Sequence, residues 1–245
     1  MSFKNFNHKT LDNLYIDYNY RSTDNITKFV YGNDILLAPL DGSGTDLSSN
    51  NITPTLGSTI SYASTSPLSN YTQYLSLNGS STSWITYAAS SLFNFGTSNF
   101  TAECWFKTSG VTGDWNSIIG QFVSTTSGVW HIDIQGGYLD FTYNDGSWHN
   151  NVSSKTVTDN VWHHAAISRS GTNIYVFCDG VLLETVVTST SIGKSDQVFQ
   201  IGVNNIDNNV FTGSIAGVRI TNWAKYTSAF TPDTNFVASI PVVYV

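Results

Sequence analysis

Between Asn160 and Glu184 two turn dipeptides, Ser170-Gly171 and Asp179-Gly180, interrupt a run that is otherwise β-prone. Such dipeptides supply the positive-φ positions that tight hairpins need, and Ile174 to Phe177 is β-branched and aromatic, as a half-buried strand prefers. The run therefore predicts strand, turn, strand, turn, strand: a β-meander.

The same pattern continues on both sides. Strands are predicted at Phe100 to Thr108, Ser117 to Val123, Val129 to Gln135, Leu139 to Tyr143, His163 to Arg169, Ile174 to Phe177, Val181 to Thr188, Val198 to Val203 and Gly213 to Asn222. Shorter strands between Asp34 and Phe95 are separated by Gly/Ser/Asn/Pro-rich loops, and no segment sustains a 3.6-residue apolar period. An all-β sandwich of two antiparallel sheets with very little helix follows. Within one strand, Phe100, Ala102, Cys104 and Phe106 take one face and Thr101, Glu103, Trp105 and Lys107 the other, because successive side chains alternate.

Several strings, in order, carry a resemblance. They are Leu40-Asp41-Gly42, Tyr74 to Gly79, Phe93-Asn94-Phe95-Gly96 leading into Phe100 to Phe106, Trp162-His163-His164-Ala165, Cys178-Asp179-Gly180-Val181-Leu182, and Phe211 to Ile220. Together they resemble the laminin G-like jelly rolls of the concanavalin A-like lectin/glucanase superfamily. The ending Arg219 to Thr227, with Phe230-Thr231-Pro232, resembles the variant common in bacteriophage virion proteins. The resemblance implies one concanavalin A-like jelly roll over residues 34–236, an extended N-terminal arm over 1–33, and an apolar tail over 237–245.

Composition narrows the function. Charged residues make up 11% of the chain, against roughly 25% in ordinary domains, and Ser, Thr, Asn and Tyr take their place. Neutral hydrogen-bonding groups cost less to desolvate than charges, so such a surface suits hydroxyl-rich ligands or packed assemblies. A net charge of −7 opposes phosphate-backbone recognition, and nucleic acid is not an expected partner. No window approaches the ~18 apolar residues of a membrane span, and the start lacks the apolar core of a signal peptide, so neither membrane nor secretion by that route is expected. The Asn-x-Ser/Thr triplets then reflect Asn/Ser/Thr richness rather than glycosylation. Cys104 and Cys178 lie in apolar β runs and read as small buried hydrophobes without a disulfide.

Chemistry has few footholds. Glucanases of this superfamily carry Glu residues two strand positions apart, but this chain has only two glutamates, Glu103 and Glu184, each without a carboxylate at i+2 or i+4. An enzyme is therefore not expected, and Glu103 is the one residue a glycoside-hydrolase reading could use. His163 and His164 are adjacent, so they point to opposite faces and cannot chelate one ion together. No cofactor is called for. The resemblance admits a calcium ion held by Asp41 and Asp46, although Ala216 and Gly217 stand where related domains often carry an acidic residue. Glycan recognition needs rings beside amides, which Tyr143, Trp148, His149 and Asn150 offer on a predicted hairpin tip, with Trp115 and Trp130 nearby.

Two terminal segments read as assembly elements. In the arm, Leu14, Ile16, Tyr18 and Tyr20 alternate with more polar residues as in an extended strand. In the tail, Val242 and Tyr244 belong to a β-prone run that would be a sticky edge if left uncovered. The expectation is a non-enzymatic bacteriophage virion protein on the particle surface, as head decoration or short fibre, in many copies or as a homo-oligomer. Other virion proteins would be its partners. The alternative is an adhesin that recognises host surface polysaccharide.

Overall fold

The Asp179-Gly180 turn takes φ of 52° and 76°, the doubly positive pair that matches the twist of a two-residue hairpin. Ala165 to Ser170 then pairs with Asn173 to Cys178, and that strand with Val181 to Val187, so the meander forms as the sequence predicts. The computed structural model describes residues 34–111, 115–122, 127–204 and 209–238. In chain order the strands are β1 (Asp34–Ala38), β2 (Pro54–Leu56), β3 (Ser61–Ser64), β4 (Gln73–Asn78), β5 (Ile85–Tyr87), β6 (Phe100–Lys107), β7 (Trp115–Gln121), β8 (Trp130–Gln135), β9 (Tyr138–Asn144), β10 (Trp148–Thr156), β11 (His163–Ser170), β12 (Asn173–Cys178), β13 (Val181–Val187), β14 (Phe199–Ile201), β15 (Val203–Asn204), β16 (Asn209–Val210) and β17 (Thr212–Thr221). Helix among the described residues is limited to one 3-10 turn at Ser91–Phe93.

Two antiparallel sheets face each other. The eight-stranded sheet runs β13-β12-β11-β6-β17 and then divides, because β17 pairs with β4 over Thr212 to Ile215 and with β1 over Val218 to Thr221. Gly217, at φ 58°, sits at the division and donates its N–H to the Pro39 carbonyl. The seven-stranded sheet runs β10-β9-β8-β7-β14-β5-β2, and the β15-β16 hairpin packs against β7. Phe100, Ala102, Cys104 and Phe106 of β6 join Trp130, Ile132 and Ile134 of β8 in one buried core. The alternation read along β6 therefore holds.

The other face of β6 is buried too. The chain beyond β17 lies across it, tied down by Lys225 N–H to Thr101 Oγ1, Tyr226 N–H to Ser168 Oγ and Trp105 Nε1 to the Asp233 carbonyl. Beneath this strap Leu37, Leu68, Ala216 and Phe236 form a second small apolar cluster. Glu103 is fully buried there, its Oε1 meeting Lys225 Nζ at 2.5 Å and Arg219 Nη1 at 3.5 Å, its Oε2 meeting the Tyr226 hydroxyl at 2.8 Å and His164 Nε2 at 3.2 Å.

Two strands escaped prediction, the two-residue β16 and the long β10. Residues 143–151 read as a hairpin tip, yet the turn is confined to Asp145–Ser147 and Trp148 opens a nine-residue strand. β10 is the edge of its sheet, so neither of its faces is deeply buried and its sequence lacks the apolar alternation that marks a half-buried strand. Ala165 pairs with Cys104 on one side and Cys178 on the other, so a whole strand separates the two thiols, which are free.

Candidate functional site

On β8 and β9 the alternation that sends Trp130, Ile132, Leu139, Phe141 and Tyr143 inward sends His131, Asp133, Asp140 and Thr142 to the outer face of the seven-stranded sheet. Asn150 of β10 pairs directly with Thr142, and Trp148 with Asn144, so both share that face. There, Trp115, Phe122 and Trp148 wall a cavity of about 290 Å³ whose polar groups, among the described residues, include His131, Thr142 and Asn150, with Asn204 and Asn209 of the small hairpin. Phe122 packs against Trp148 at 4.8 Å between ring centroids and against His131 at 4.8 Å. Trp148 keeps 40% of its surface exposed. Rings of this kind stack on the C–H faces of a ligand while amides and hydroxyls meet its polar rim, and the volume lies near the small end of ligand pockets, about 300–1,000 Å³.

Of the six glycan candidates, three line this cavity: Trp115, Trp148 and Asn150. Trp130 is 0% exposed and packs, with tilted rings, among Phe95, Phe100 and Phe199, so it is a core residue and leaves the candidate set. Tyr143 also turns inward, with His149 stacked on it at 4.6 Å. His149 Nε2 lies 2.9 Å from Asp145 Oδ1, a contact that holds the Asp145 carboxyl below its usual range and braces the turn rather than the cavity. Phe122, His131, Thr142, Asn204 and Asn209 were not read from the sequence. Strand alternation could have found His131 and Thr142; the two asparagines depend on how the β15-β16 hairpin packs.

Next to His131 and Thr142 on the same sheet face lies a buried acidic pair. Asp133 and Asp140 stand directly opposite each other on β8 and β9 and are both fully buried. Asp133 Oδ2 is 2.7 Å from His131 Nδ1, and Asp140 Oδ2 accepts from the Thr142 hydroxyl at 2.9 Å. Burial, then the Asp133 charge, pushes the Asp140 carboxyl up to about 7; burial also raises Asp133, against the lowering pull of His131 and of a hydrogen bond with Asp140. Two carboxyls thus face each other on paired strands in a buried setting that disfavours charge on both. Glycosidases need their carboxyls about 5–5.5 Å apart for retention or ~6.5–9.5 Å for inversion, with access to substrate. A fully buried pair lacks that access.

Glu103, the residue a hydrolase reading depended on, is also closed to substrate. Both its oxygens are occupied by cations and donors under the strap; burial alone would raise it, but Lys225, with His164 and Arg219, holds it well below the usual carboxylate range. Asp46 uses both carboxylate oxygens on its own loop, accepting from the N–H groups of Leu37, Ser48 and Ile52 and from the Ser48 hydroxyl. Asp41 Oδ1 accepts from the N–H groups of Thr72 and Gln73. The two aspartates tie loops together, and no third ligand joins them among the described residues. His163, Cys178 and Asp179 do place one ligand atom each within 4.8 Å of one another. The His163 nitrogens are already held at 2.8 Å by Asp179 and 3.0 Å by Asp159, and burial pushes the Cys178 thiol far up, so the group braces the turn as a proton-bearing cluster. Leu14, Ile16, Tyr18, Tyr20, Val242 and Tyr244 lie outside the described residues.

Comparison with known proteins agrees with the architecture. The family model described as the concanavalin A-like lectin/glucanases superfamily matches residues 78–228. No curated relative matches by sequence. Among solved structures, the binding domain of Paraclostridial Mosquitocidal Protein 1 is similar at a TM-score of 0.66 and 16% identity, over 79% of this chain and 50% of that one. The botulinum neurotoxin serotype G binding domain is similar at 0.60 and 18%, over 79% and 49%. Domain 4 of an extracellular arabinanase from Geobacillus stearothermophilus, solved with arabinotriose, is similar at 0.62 and 18%, over 79% and 94%. The chain thus spans about half the length of the toxin binding domains it matches.

Proposed function

The chain belongs to the concanavalin A-like lectin/glucanases superfamily, and from that premise we propose that it is a non-enzymatic module that recognises carbohydrate through the outer face of its seven-stranded sheet. The observation that carries this reading is the cavity between Trp115 and Trp148, where aromatic walls stand beside the neutral polar groups of Asn150, Thr142, Asn204 and Asn209. On the eight-stranded sheet the strap lies over the outer face of β6, tied to Thr101 and Trp105. The similarity to a domain solved with arabinotriose supports the same reading. Trp148→Ala removes one wall and is expected to abolish retention on immobilised host polysaccharide while leaving the thermal midpoint within a few degrees, since the ring is substantially exposed. Retention equal to that of the unmodified chain would remove the cavity from the binding surface.

The setting we propose is the surface of a bacteriophage particle, as head decoration or short fibre, with the jelly roll outward and residues 1–33 and 237–245 as attachment segments. Support comes from the string Arg219 to Thr227 with Phe230-Thr231-Pro232, and from the low-charge polar surface. Immunogold labelling of particles with antibody against residues 34–236 tests it. Label over the head favours decoration, label at the tail end favours host adhesion, and unlabelled particles refute the virion setting.

A further inference from the structure

Across four strands of the eight-stranded sheet one row of polar side chains lies in register. Ser61 of β3 pairs with Ser76 of β4, Ser76 with Ser214 of β17, and Ser214 with Lys107 of β6, so the four share a face. It is the outer face, because their sequence neighbours Leu75, Ile215 and Phe106 belong to the core. Ser61 is exposed, and Ser76 and Lys107 are half-buried, so the row reaches solvent. At about 4.8 Å between strands it runs about 14 Å, a length suited to a short oligomer rather than a single ion. The strap is tied to β6 at Thr101 and Trp105, and Lys107 comes after both.

The row ends in a cation held by rings. Lys107 Nζ lies 5.4 Å from the centroid of the Tyr74 ring and 5.2 Å from that of Trp162, and the two rings meet edge to face at 5.2 Å. Both rings are half-buried and pack against the small cluster of Leu37, Leu68, Ala216 and Phe236, which fixes them. A ring face holds an ammonium in place without neutralising it. Lys155, Lys194 and Lys225 each face a carboxylate instead. Beside Lys107, Ser214 is only 8% exposed, and no described residue meets its hydroxyl. A polar group placed so is unfavourable until a ligand atom satisfies it.

The chemistry of the row selects its ligand. An ammonium only donates, so it calls for an anionic oxygen, whereas serine hydroxyls both donate and accept and match a chain of hydroxyls. The aromatic pair offers C–H faces a surface to rest on. Hydroxyls repeated along a chain, C–H faces and a carboxylate occur together in an acidic sugar. The net charge of −7 does not decide against it, since exposed charges more than ~8 Å away are largely screened at physiological ionic strength. We propose that this row is a second binding surface, on the sheet opposite the Trp148 cavity, and that it takes an acidic saccharide. The carboxylate meets Lys107, the hydroxyls run along Ser214, Ser76 and Ser61, and a sugar face rests on the Tyr74 and Trp162 pair.

The test is titration of the full chain with trigalacturonate, its methyl ester, triglutamate and acetate. Calorimetry gives the affinities, and the ¹⁵N–¹H signals of the indole groups, assigned by Trp→Phe exchanges, give the place. The expected result is that trigalacturonate binds and weakens with salt, that its uncharged ester binds about tenfold less tightly, and that the Trp162 signal moves while the Trp148 signal stays. Lys107→Met keeps the stem over the rings and removes the charge, so it should lose about tenfold in affinity for trigalacturonate; Lys107→Arg should restore most of it, and Trp148→Ala should leave it unchanged. Should Lys107→Met fold poorly, the indole signals of the unmodified chain decide by themselves. Equal binding of the ester, movement of Trp148 in place of Trp162, full affinity in Lys107→Met, or no binding at all overturns the proposal. An equal Trp162 shift with acetate, or equal affinity for triglutamate, overturns the saccharide class. None of these results touches the cavity, whose carbohydrate reading stands or falls on retention by Trp148→Ala.

Discussion

Replacing Glu103 by Gln should cost far more than a conservative exchange usually does. The carboxylate accepts from Lys225 and Arg219 on one oxygen and from Tyr226 and His164 on the other, with no solvent to take its place. An amide turns one of those oxygens into a donor aimed at donors and removes the charge that Lys225 and Arg219 share, leaving Arg219 only the longer contacts to Asp34 at 3.7 Å and Asp233 at 3.8 Å. Breaking one partner of a buried pair costs about 3–5 kcal/mol, and losing two charge-assisted bonds at ~1.5–3 kcal/mol each gives the same range. In a chain of this size that is a fall on the order of 10 °C in thermal midpoint. The pH dependence fixes the cause. Glu103 titrates well below 4.5 in the folded chain, so its contribution is full above that value and is lost as pH falls through the folded-state value. Urea unfolding followed by intrinsic tryptophan fluorescence, at neutral and at strongly acid pH, should show the gap between the two proteins closing in acid. A gap under about 1 kcal/mol at neutral pH, or one that stays constant on acidification, would refute the argument that the strap is held by an ionic clasp.

Three further outcomes are expected. Gly120→Ala places a methyl group against the His131 backbone and should destabilise by ~1–3 kcal/mol while weakening saccharide binding; a midpoint and affinity both unchanged would contradict the close approach. His163 is raised chiefly by its hydrogen bond to Asp179, against burial, with Asp159 adding to it. Its stabilising effect is full below 6.5 and is lost as pH rises through the folded-state value, so thermal midpoints of His163→Asn and the unmodified chain should converge in alkali; a difference that widens there would reverse the sign. Burial pushes the thiols of Cys104 and Cys178 far up, so a disulfide reagent should titrate neither in the native chain and both in denaturant; rapid reaction of the folded protein would show the strands around them open.

The fold was legible because its strongest signals are local. Turn dipeptides, β-branched runs and the alternation along β6 place their strands to within a residue or two, and the order of the family strings adds the sandwich. The site was legible only in part. Trp148 and Asn150 stand two positions apart in sequence and so on one face, and composition alone brought them forward. Trp130 has the same chemistry, but its direction is set by whether it sits on an odd or even position of β8, and its neighbours Ile132 and Ile134 carried that information. His131 was hidden by the same parity. Asn204 and Asn209 reach the cavity through packing between a small hairpin and β7, and no short-range pattern encodes that contact. Glu103 was visible as an isolated carboxylate, whereas its cations, Arg219 and Lys225, lie more than a hundred positions away.

Arg219 holds both ends of the jelly roll in one hand: its Nε lies 3.7 Å from an Asp34 carboxylate oxygen and its Nη2 donates to the Val237 carbonyl at 3.0 Å. Entry and exit of the domain are therefore neighbours on the eight-stranded sheet, on the side away from the cavity. Tension drawn through either end passes into β1, β17, this guanidinium and the Asn70 amide that brackets Phe236, all on the side of the eight-stranded sheet. A module wired this way can be tethered, tugged or spliced into a longer chain at a single point while its reading surface keeps its shape.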